Sequence, residues 1–157
     1  MAEKKFVQDA KKKRPPLVLL IDPDKEEVKT LKKYFQKENF KFVVAYDGIR
    51  GMVHALNDKP DLIITELVVP RLNGYDIIKR LQLVSSRTRN IPVIILTGKA
   101  MDAESKKRLT DLEENVVEFI PKPITRGSFM VKIHRILKTG KAEKKILESH
   151  EKERRNE

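Results

Sequence analysis

Five short runs of apolar, mostly β-branched residues recur along the chain, and between them apolar residues return every three or four positions. Runs of this length predict buried β-strands, and the three-to-four spacing predicts amphipathic helices. The predicted strands are residues 17–21, 40–45, 61–65, 91–96 and 116–120. The pattern therefore predicts a strand followed by a helix, repeated five times.

The predicted helices carry apolar stripes that would face a sheet. Four helices have clear stripes, which are, in chain order, Val28, Leu31 and Phe35; Ile49, Val53 and Leu56; Ile77, Ile78 and Leu81; and Phe129, Ile133, Ile136 and Leu137. A fifth, weaker stripe occupies residues 101–112. Strands that alternate with helices imply right-handed crossovers and parallel pairing. The nearly continuous apolar strands agree, because parallel strands are covered on both faces. The predicted fold is α/β: a doubly wound, five-stranded parallel sheet.

Composition limits the class of protein. A length of 157 residues with 39% hydrophobic residues suits one globular domain. No run approaches the ~18 apolar residues that span a bilayer, and the N-terminus lacks the apolar core of a secretory signal. The absence of cysteine excludes disulfides and thiolate metal sites. We expect a cytoplasmic protein without membrane insertion.

The net charge of +11 is concentrated partly in the two ends of the chain. Residues 1–14 carry six Lys or Arg against two acids, and residues 138–157 carry seven against five. The expected organisation is a basic extension over residues 1–15, a domain over 16–139, and a charged extension over 140–157 that is helical or disordered. Basic tails bind nucleic acid electrostatically. A solvated tail is the favoured interpretation, because the C-terminal basic residues alternate with glutamates.

Four polar residues follow the predicted strands, where ligands gather in an open parallel sheet. Asp22 ends the first strand, Glu66 the third and Thr97 the fourth, and Lys122 follows the fifth. Each alone could be a cap or an ordinary strand end. Together they predict one crevice that holds two acids, a hydroxyl and an ammonium group.

This constellation resembles the receiver domain of two-component response regulators, which has the CheY-like, flavodoxin-like fold. The matching stretches are VLLID, PDLIITELVVPRLNGYDIIKRL, IPVIILTG and FIPKP, between about Leu17 and Lys138. The resemblance implies a signalling module rather than an enzyme. Such a module takes a phosphoryl group from a histidine kinase onto an aspartate after the third strand.

The resemblance also implies roles for individual residues. Glu66 stands at the phosphoacceptor position, and Thr97 and Lys122 are the groups that bind the acyl phosphate in the family. Thr97 and Phe119 occupy the switch positions, and the bond between Lys122 and Pro123 is one that is typically cis. The family holds Mg²⁺ with the acceptor aspartate and two acids after the first strand. Here that ligand set becomes Asp22, Glu66 and the backbone carbonyl of Val68.

Two positions depart from the family. The acceptor is Glu66, whose carboxylate reaches about 1.5 Å further than that of aspartate, and the second acid after the first strand is replaced by Pro23. Phosphoryl transfer depends on positioning, and Mg²⁺ requires nearly ideal oxygen geometry. We therefore expect no aspartyl phosphorylation and weak Mg²⁺ binding at most. Glu66 either mimics the phosphorylated state or is a relic that merely satisfies Lys122. In both cases we expect it to pair with Lys122, in a crevice that is half open.

Several functions stay open on the sequence. The leading one is a stand-alone receiver module that acts by protein contact, with a histidine kinase or an output protein as partner. A phosphorylatable receiver with an unusual acceptor is the second, and a nucleic-acid-associated adaptor with basic tails the third. A flavin or nucleotide site is disfavoured, because no glycine-rich phosphate loop occurs. The family also dimerises through helix 4, strand 5 and helix 5, although the segment from Thr97 to Lys122 is longer here than is usual.

Overall fold

The predicted parallel sheet is present in the computed structural model, which describes residues 14–98, 101–112, 115–139 and 154–155. Five parallel strands lie in the order β2-β1-β3-β4-β5. Their bounds are Leu17–Ile21 (β1), Lys41–Ala45 (β2), Leu62–Thr65 (β3), Val93–Thr97 (β4) and Val116–Pro121 (β5). The fold class expected from the sequence is confirmed.

Five helices connect or follow the strands. They are Lys25–Gln36 (α1), Gly48–Asn57 (α2), Gly74–Val84 (α3), Ala103–Leu112 (α4) and Arg126–Thr139 (α5). The sequence pattern missed a single helical turn at Ser86–Arg89, which Ser85 caps with a reciprocal hydrogen-bond pair to Thr88. The expected extensions over residues 1–15 and 140–157 lie almost wholly outside the described residues.

The helices cover both faces of the sheet and enclose two apolar clusters. One contains Ile77 and Ile78 of α3 and Met52 and Ala55 of α2. The other, on the opposite face, contains Leu31 and Phe35 of α1 with residues of α5, including Phe129, Ile133 and Ile136. In the described part of the chain, no helix is both long and apolar enough to span a membrane.

Polar caps begin three of the helices close to the carboxyl ends of the strands. The side chain of Asp24 accepts hydrogen bonds from two backbone N–H groups in the first turn of α1. Asp47 and Asn73 do the same for α2 and α3, with one N–H group each. These bonds satisfy backbone donors that have no partner within the helix. The caps therefore fix the loops that carry the polar strand-end residues.

The predicted apolar stripe of α2 is wrong in two of its three positions. Ile49 and Val53 are each 49% exposed, whereas Met52 and Ala55 face the core. The helix approaches the rest of the protein through glycines instead. A Cβ atom on Gly48 would lie 1.7 Å from the carbonyl oxygen of Leu72. Only the glycine side of α2 can approach Leu72 this closely. That side therefore faces inward, and the larger Ile49 and Val53 face the solvent.

Gly48→Ala should destabilise the fold by about 2 kcal/mol or more, because the added methyl group would clash with backbone rather than with a flexible side chain. Chemical denaturation monitored by circular dichroism measures the change. Gly127→Ala is the matched control: nothing lies within 4 Å of its added Cβ, and it sits in α5. The control should be neutral or stabilising by up to ~1 kcal/mol. Equal stability of both variants would contradict the packing described for α2.

Candidate functional site

The sheet order brings the polar strand-end residues into one crevice. Strands β1, β3, β4 and β5 are consecutive neighbours, and parallel pairing aligns their carboxyl ends. Asp22 follows β1, Glu66 follows β3, Thr97 ends β4, and Lys122 follows β5. Asp22, Glu66 and Thr97 are all buried. The four residues grouped by the sequence argument therefore meet in the structure.

The carboxylate of Glu66 is the most heavily hydrogen-bonded group of the crevice. Its Oε1 accepts from the Thr97 hydroxyl at 2.5 Å and from the backbone N–H of Leu67 at 2.9 Å. Its Oε2 accepts from the backbone N–H of Gly98 at 3.3 Å and contacts the Lys122 ammonium at 3.1 Å. Both oxygens are thus engaged, and the carboxylate ties the end of β3 to the ends of β4 and β5.

The ammonium group of Lys122 lies between two carboxylates. Its Nζ is 2.8 Å from Asp22 Oδ2 and 3.1 Å from Glu66 Oε2. The side chains of Asp22, Glu66 and Lys122 are 6%, 10% and 18% exposed. The sequence argument expected only the Glu66 pair, in a half-open crevice. The structure adds Asp22 and buries the triad more deeply.

Burial and hydrogen bonding act in opposite directions on the charged groups of the crevice. Burial alone would raise the pKa of Glu66, but hydrogen bonds from Thr97 and Lys122 outweigh it and lower that pKa below the ordinary value. Burial would likewise lower the pKa of Lys122, but Asp22 and Glu66 raise it above its ordinary value. At physiological pH Glu66 is therefore a carboxylate and Lys122 an ammonium group.

The remaining residues singled out in the sequence lie around this triad. Pro23 is exposed in the loop after β1, and Val68 is 62% exposed in the loop after β3. Phe119 is half-buried on β5 and packs against the core cluster that contains Ile95. The peptide bond between Lys122 and Pro123 is cis, as the resemblance implied.

Sequence reasoning missed a further acid, Glu27, in the first turn of α1. Burial raises its pKa; Lys122 opposes this effect, and the charges of Asp22, Asp24 and Glu66 add to it. Its position in the sequence could have identified it, because the first turn of α1 directly follows the loop that begins at Asp22. The crevice therefore holds more negative than positive charge.

The residues present do not fit a magnesium site. Pro23 offers no side-chain oxygen, both oxygens of Glu66 accept hydrogen bonds, and Asp22 Oδ2 is paired with Lys122. The carboxylate of Asp24 caps α1 instead. Across residues 14–98, 101–112, 115–139 and 154–155, no group of three or more acidic or histidine side chains is placed to hold a metal ion. Lys122 supplies the positive charge between the two carboxylates.

Replacing Lys122 with alanine should lower the free energy of unfolding by about 2–4 kcal/mol, between the values for exposed and fully buried pairs. The reason is that Asp22 and Glu66 would face each other without a counter-charge. The half-open crevice expected from the sequence would have put this loss near ~1 kcal/mol. Urea unfolding at neutral pH measures it, with Lys132→Ala on α5 as the control.

The pH dependence of stability follows from the direction of the two shifts. The lowered pKa of Glu66 gives stability that is present above its ordinary value of 4.5 and is lost as the pH falls through the lower, folded value. The raised pKa of Lys122 gives stability that is lost as the pH rises above 10.5. Wild type should therefore lose more stability than Lys122→Ala at both extremes. If the free energies of unfolding of the two proteins changed in parallel with pH, the ion pairing described for the triad would be contradicted.

Comparison with known proteins agrees with this geometry. The family model of the response regulator receiver domain matches residues 18–134. Transcriptional regulatory protein CpxR of Escherichia coli (strain K12) is 31% identical over 121 residues, which are 77% of this chain and 49% of that protein. Hybrid signal transduction histidine kinase D of Dictyostelium discoideum is 26% identical over 94% of this chain and 9% of its own length. The chain thus spans less than half of each of these relatives.

Solved structures share the fold. Chemotaxis response regulator CheY4 of Vibrio cholerae superposes with a TM-score of 0.69 at 19% identity, over 78% of this chain and 99% of that one. The receiver domain of sensor histidine kinase PA1611 from Pseudomonas aeruginosa PAO1 gives 0.69 at 18% identity, over 80% and 100%, and carries a magnesium ion in its active-site cleft. Since the family match covers all of the sheet except Leu17, together with all four strand-end residues, the chain belongs to the response regulator receiver domain family of two-component signalling.

Proposed function

We propose that this receiver domain signals by protein contact without being phosphorylated, and that Glu66 stands in for the phosphoryl group. The observation that carries the proposal is the double engagement of its carboxylate, by the Thr97 hydroxyl and by the Lys122 ammonium. In receiver domains these two residue types bind the acyl phosphate after transfer. Because the Glu66 carboxylate already contacts both Thr97 and Lys122, we infer that the receiver domain is permanently activated.

The reach of glutamate explains why this side chain suits the role. Its carboxylate lies about 1.5 Å further from the backbone than that of aspartate, in the direction in which a phosphoryl group would extend. Contact with the Gly98 N–H at 3.3 Å adds a backbone donor to the two side chains. Negative charge, hydrogen-bond acceptors and position are thus combined in one residue. The alternative, an inert relic that merely satisfies the Lys122 charge, would share the Lys122 contact; the added contacts with Thr97 and Gly98 are what favour mimicry.

The loss of the metal ligand at Pro23 supports the same conclusion. Receiver domains bind Mg²⁺ in the active site, where the ion balances the negative charge of the phosphoryl group and its neighbouring acids. Here the Lys122 ammonium already bridges Asp22 and Glu66. A second phosphoryl-like charge would have no cation to balance it. A phosphorylatable receiver with glutamate as acceptor is therefore the less favoured candidate.

The family indicates classes of partner protein rather than one particular partner. Receiver domains interact with histidine kinases and output domains, and we propose one of these classes as the partner here. Phe119 lies on β5, three residues before Lys122, and α5 follows the same loop. We propose the surface formed by α4, β5 and α5 for partner contact or for formation of a homodimer.

The wild-type chain should gain no phosphoryl group from acetyl phosphate in the presence of Mg²⁺, because the acceptor is already engaged and the metal ligand is missing. Intact-mass spectrometry reads the result directly. The double variant Pro23→Asp with Glu66→Asp should be labelled in part, since it restores both the ligand and the reach of the acceptor.

The single variants make this test specific. Glu66→Asp alone should be labelled less than the double variant, because Pro23 still offers no oxygen to the ion. Pro23→Asp alone should stay unlabelled, because Glu66 keeps its hydrogen bonds. A phosphoryl adduct on the wild type would overturn the proposal in favour of the unusual-acceptor candidate.

A further inference from the structure

The solvent-exposed side of α1 carries a row of four lysines that the crevice does not use. Lys25, Lys29, Lys33 and Lys37 follow one another at intervals of four residues, and all four are exposed. Residues four apart on a helix lie on the same face, about 6 Å apart along the axis. The row, called the lysine stripe below, is therefore about 18 Å long.

The lysine stripe is unfavourable for the helix itself. Like charges four residues apart on a helix repel each other and destabilise it. The helix dipole disfavours Lys25 at the N-terminal end and favours Lys33 in the last turn. Among the described residues, Lys29, Lys33 and Lys37 form no ion pair with a carboxylate, since Glu38 is bonded to His134 and Asp24 to its own helix. Intramolecular ion pairs therefore do not account for Lys29, Lys33 and Lys37, whereas Lys25 lies over the ring of Tyr46, 5.9 Å from its centroid.

The stripe continues toward the basic N-terminal segment. Lys37 lies at the end of α1, and β2 begins shortly afterwards at Lys41. The backbone N–H of Lys41 donates to the carbonyl of Pro16 at 2.9 Å. Residues 1–14, which carry six Lys or Arg, precede this contact in the sequence.

The chemistry of this face selects the kind of partner. Large exposed hydrophobic side chains occur on α2, α3, α5 and their loops, and none of those described lies on α1. A protein interface has an apolar core, and a helix that lies on a membrane inserts apolar side chains. A surface with charge alone suits a polymer of regularly spaced phosphates, which lysines neutralise one by one.

We propose that the lysine stripe binds the phosphate backbone of nucleic acid without reading its sequence. One strand of a duplex presents a phosphate every ~3.4 Å along the axis, so the stripe runs beside about five of them. The site is separate from the Glu66 crevice. It differs from binding by the tails alone because it assigns the contact to a folded helix.

The test compares two charge-matched variants of the full chain. Lys29→Gln, Lys33→Gln and Lys37→Gln remove three charges from the stripe, and Arg50→Gln, Arg80→Gln and Lys107→Gln remove three exposed charges from α2, α3 and α4. Fluorescence anisotropy with a labelled mixed-sequence duplex of about 20 base pairs gives the affinity as a function of salt. The stripe variant should bind at least about tenfold more weakly at about 50 mM salt, with a log–log salt slope reduced by about 2–3. The control should stay within about twofold of wild type.

Additional variants and controls make each outcome of this binding experiment decisive. Replacing the same three lysines with arginine should restore binding, because the charge is kept. Circular dichroism checks folding, and Lys29→Gln with Lys33→Gln replaces the triple variant if its helix signal falls. The proposal is overturned if both charge-matched variants weaken equally, if the stripe variant binds like wild type, or if wild type binds phosphatidylserine vesicles but not the duplex.

Discussion

The placement of one ammonium group between two buried carboxylates organises the functional end of this protein. Lys122 contacts Asp22 after β1 and Glu66 after β3, and Glu66 in turn holds Thr97 at the end of β4. The ends of four strands, β1, β3, β4 and β5, are therefore joined through side chains as well as through the sheet. Without the lysine, two acids would share a poorly hydrated space, which is electrostatically unfavourable.

The same triad explains how the departures from the receiver pattern fit together. A glutamate at the acceptor position reaches the hydroxyl and the ammonium group, and a proline after Asp22 removes an oxygen that a metal ion would need. Each change alone would leave the site unbalanced: one adds reach to a negative group, and the other removes a ligand for its counter-ion. With both present, Lys122 is the cation that lies between the two carboxylates. The arrangement is thus consistent with the proposed function, in which the site is fixed and independent of a metal ion.

Sequence reasoning reached the fold and the strand-end residues because strand and helix periods are strong signals and the carboxyl ends of parallel strands must converge. It failed where packing depended on small residues. In α2 the inward side is set by Gly48 and its approach to Leu72, which a search for large apolar side chains cannot detect. It also missed Asp22 as a second partner of Lys122, since strand order and loop geometry determine which acid the ammonium group reaches.

Backbone chemical shifts of the wild type and of the Pro23→Asp, Glu66→Asp variant test most directly whether Glu66 holds the crevice as a phosphoryl group would. The variant is measured with and without Mg²⁺ and beryllofluoride, a phosphoryl analogue. The account predicts that the amides of Gly98 and Phe119 in the wild type resemble those of the loaded variant. Resemblance to the unloaded variant would contradict it.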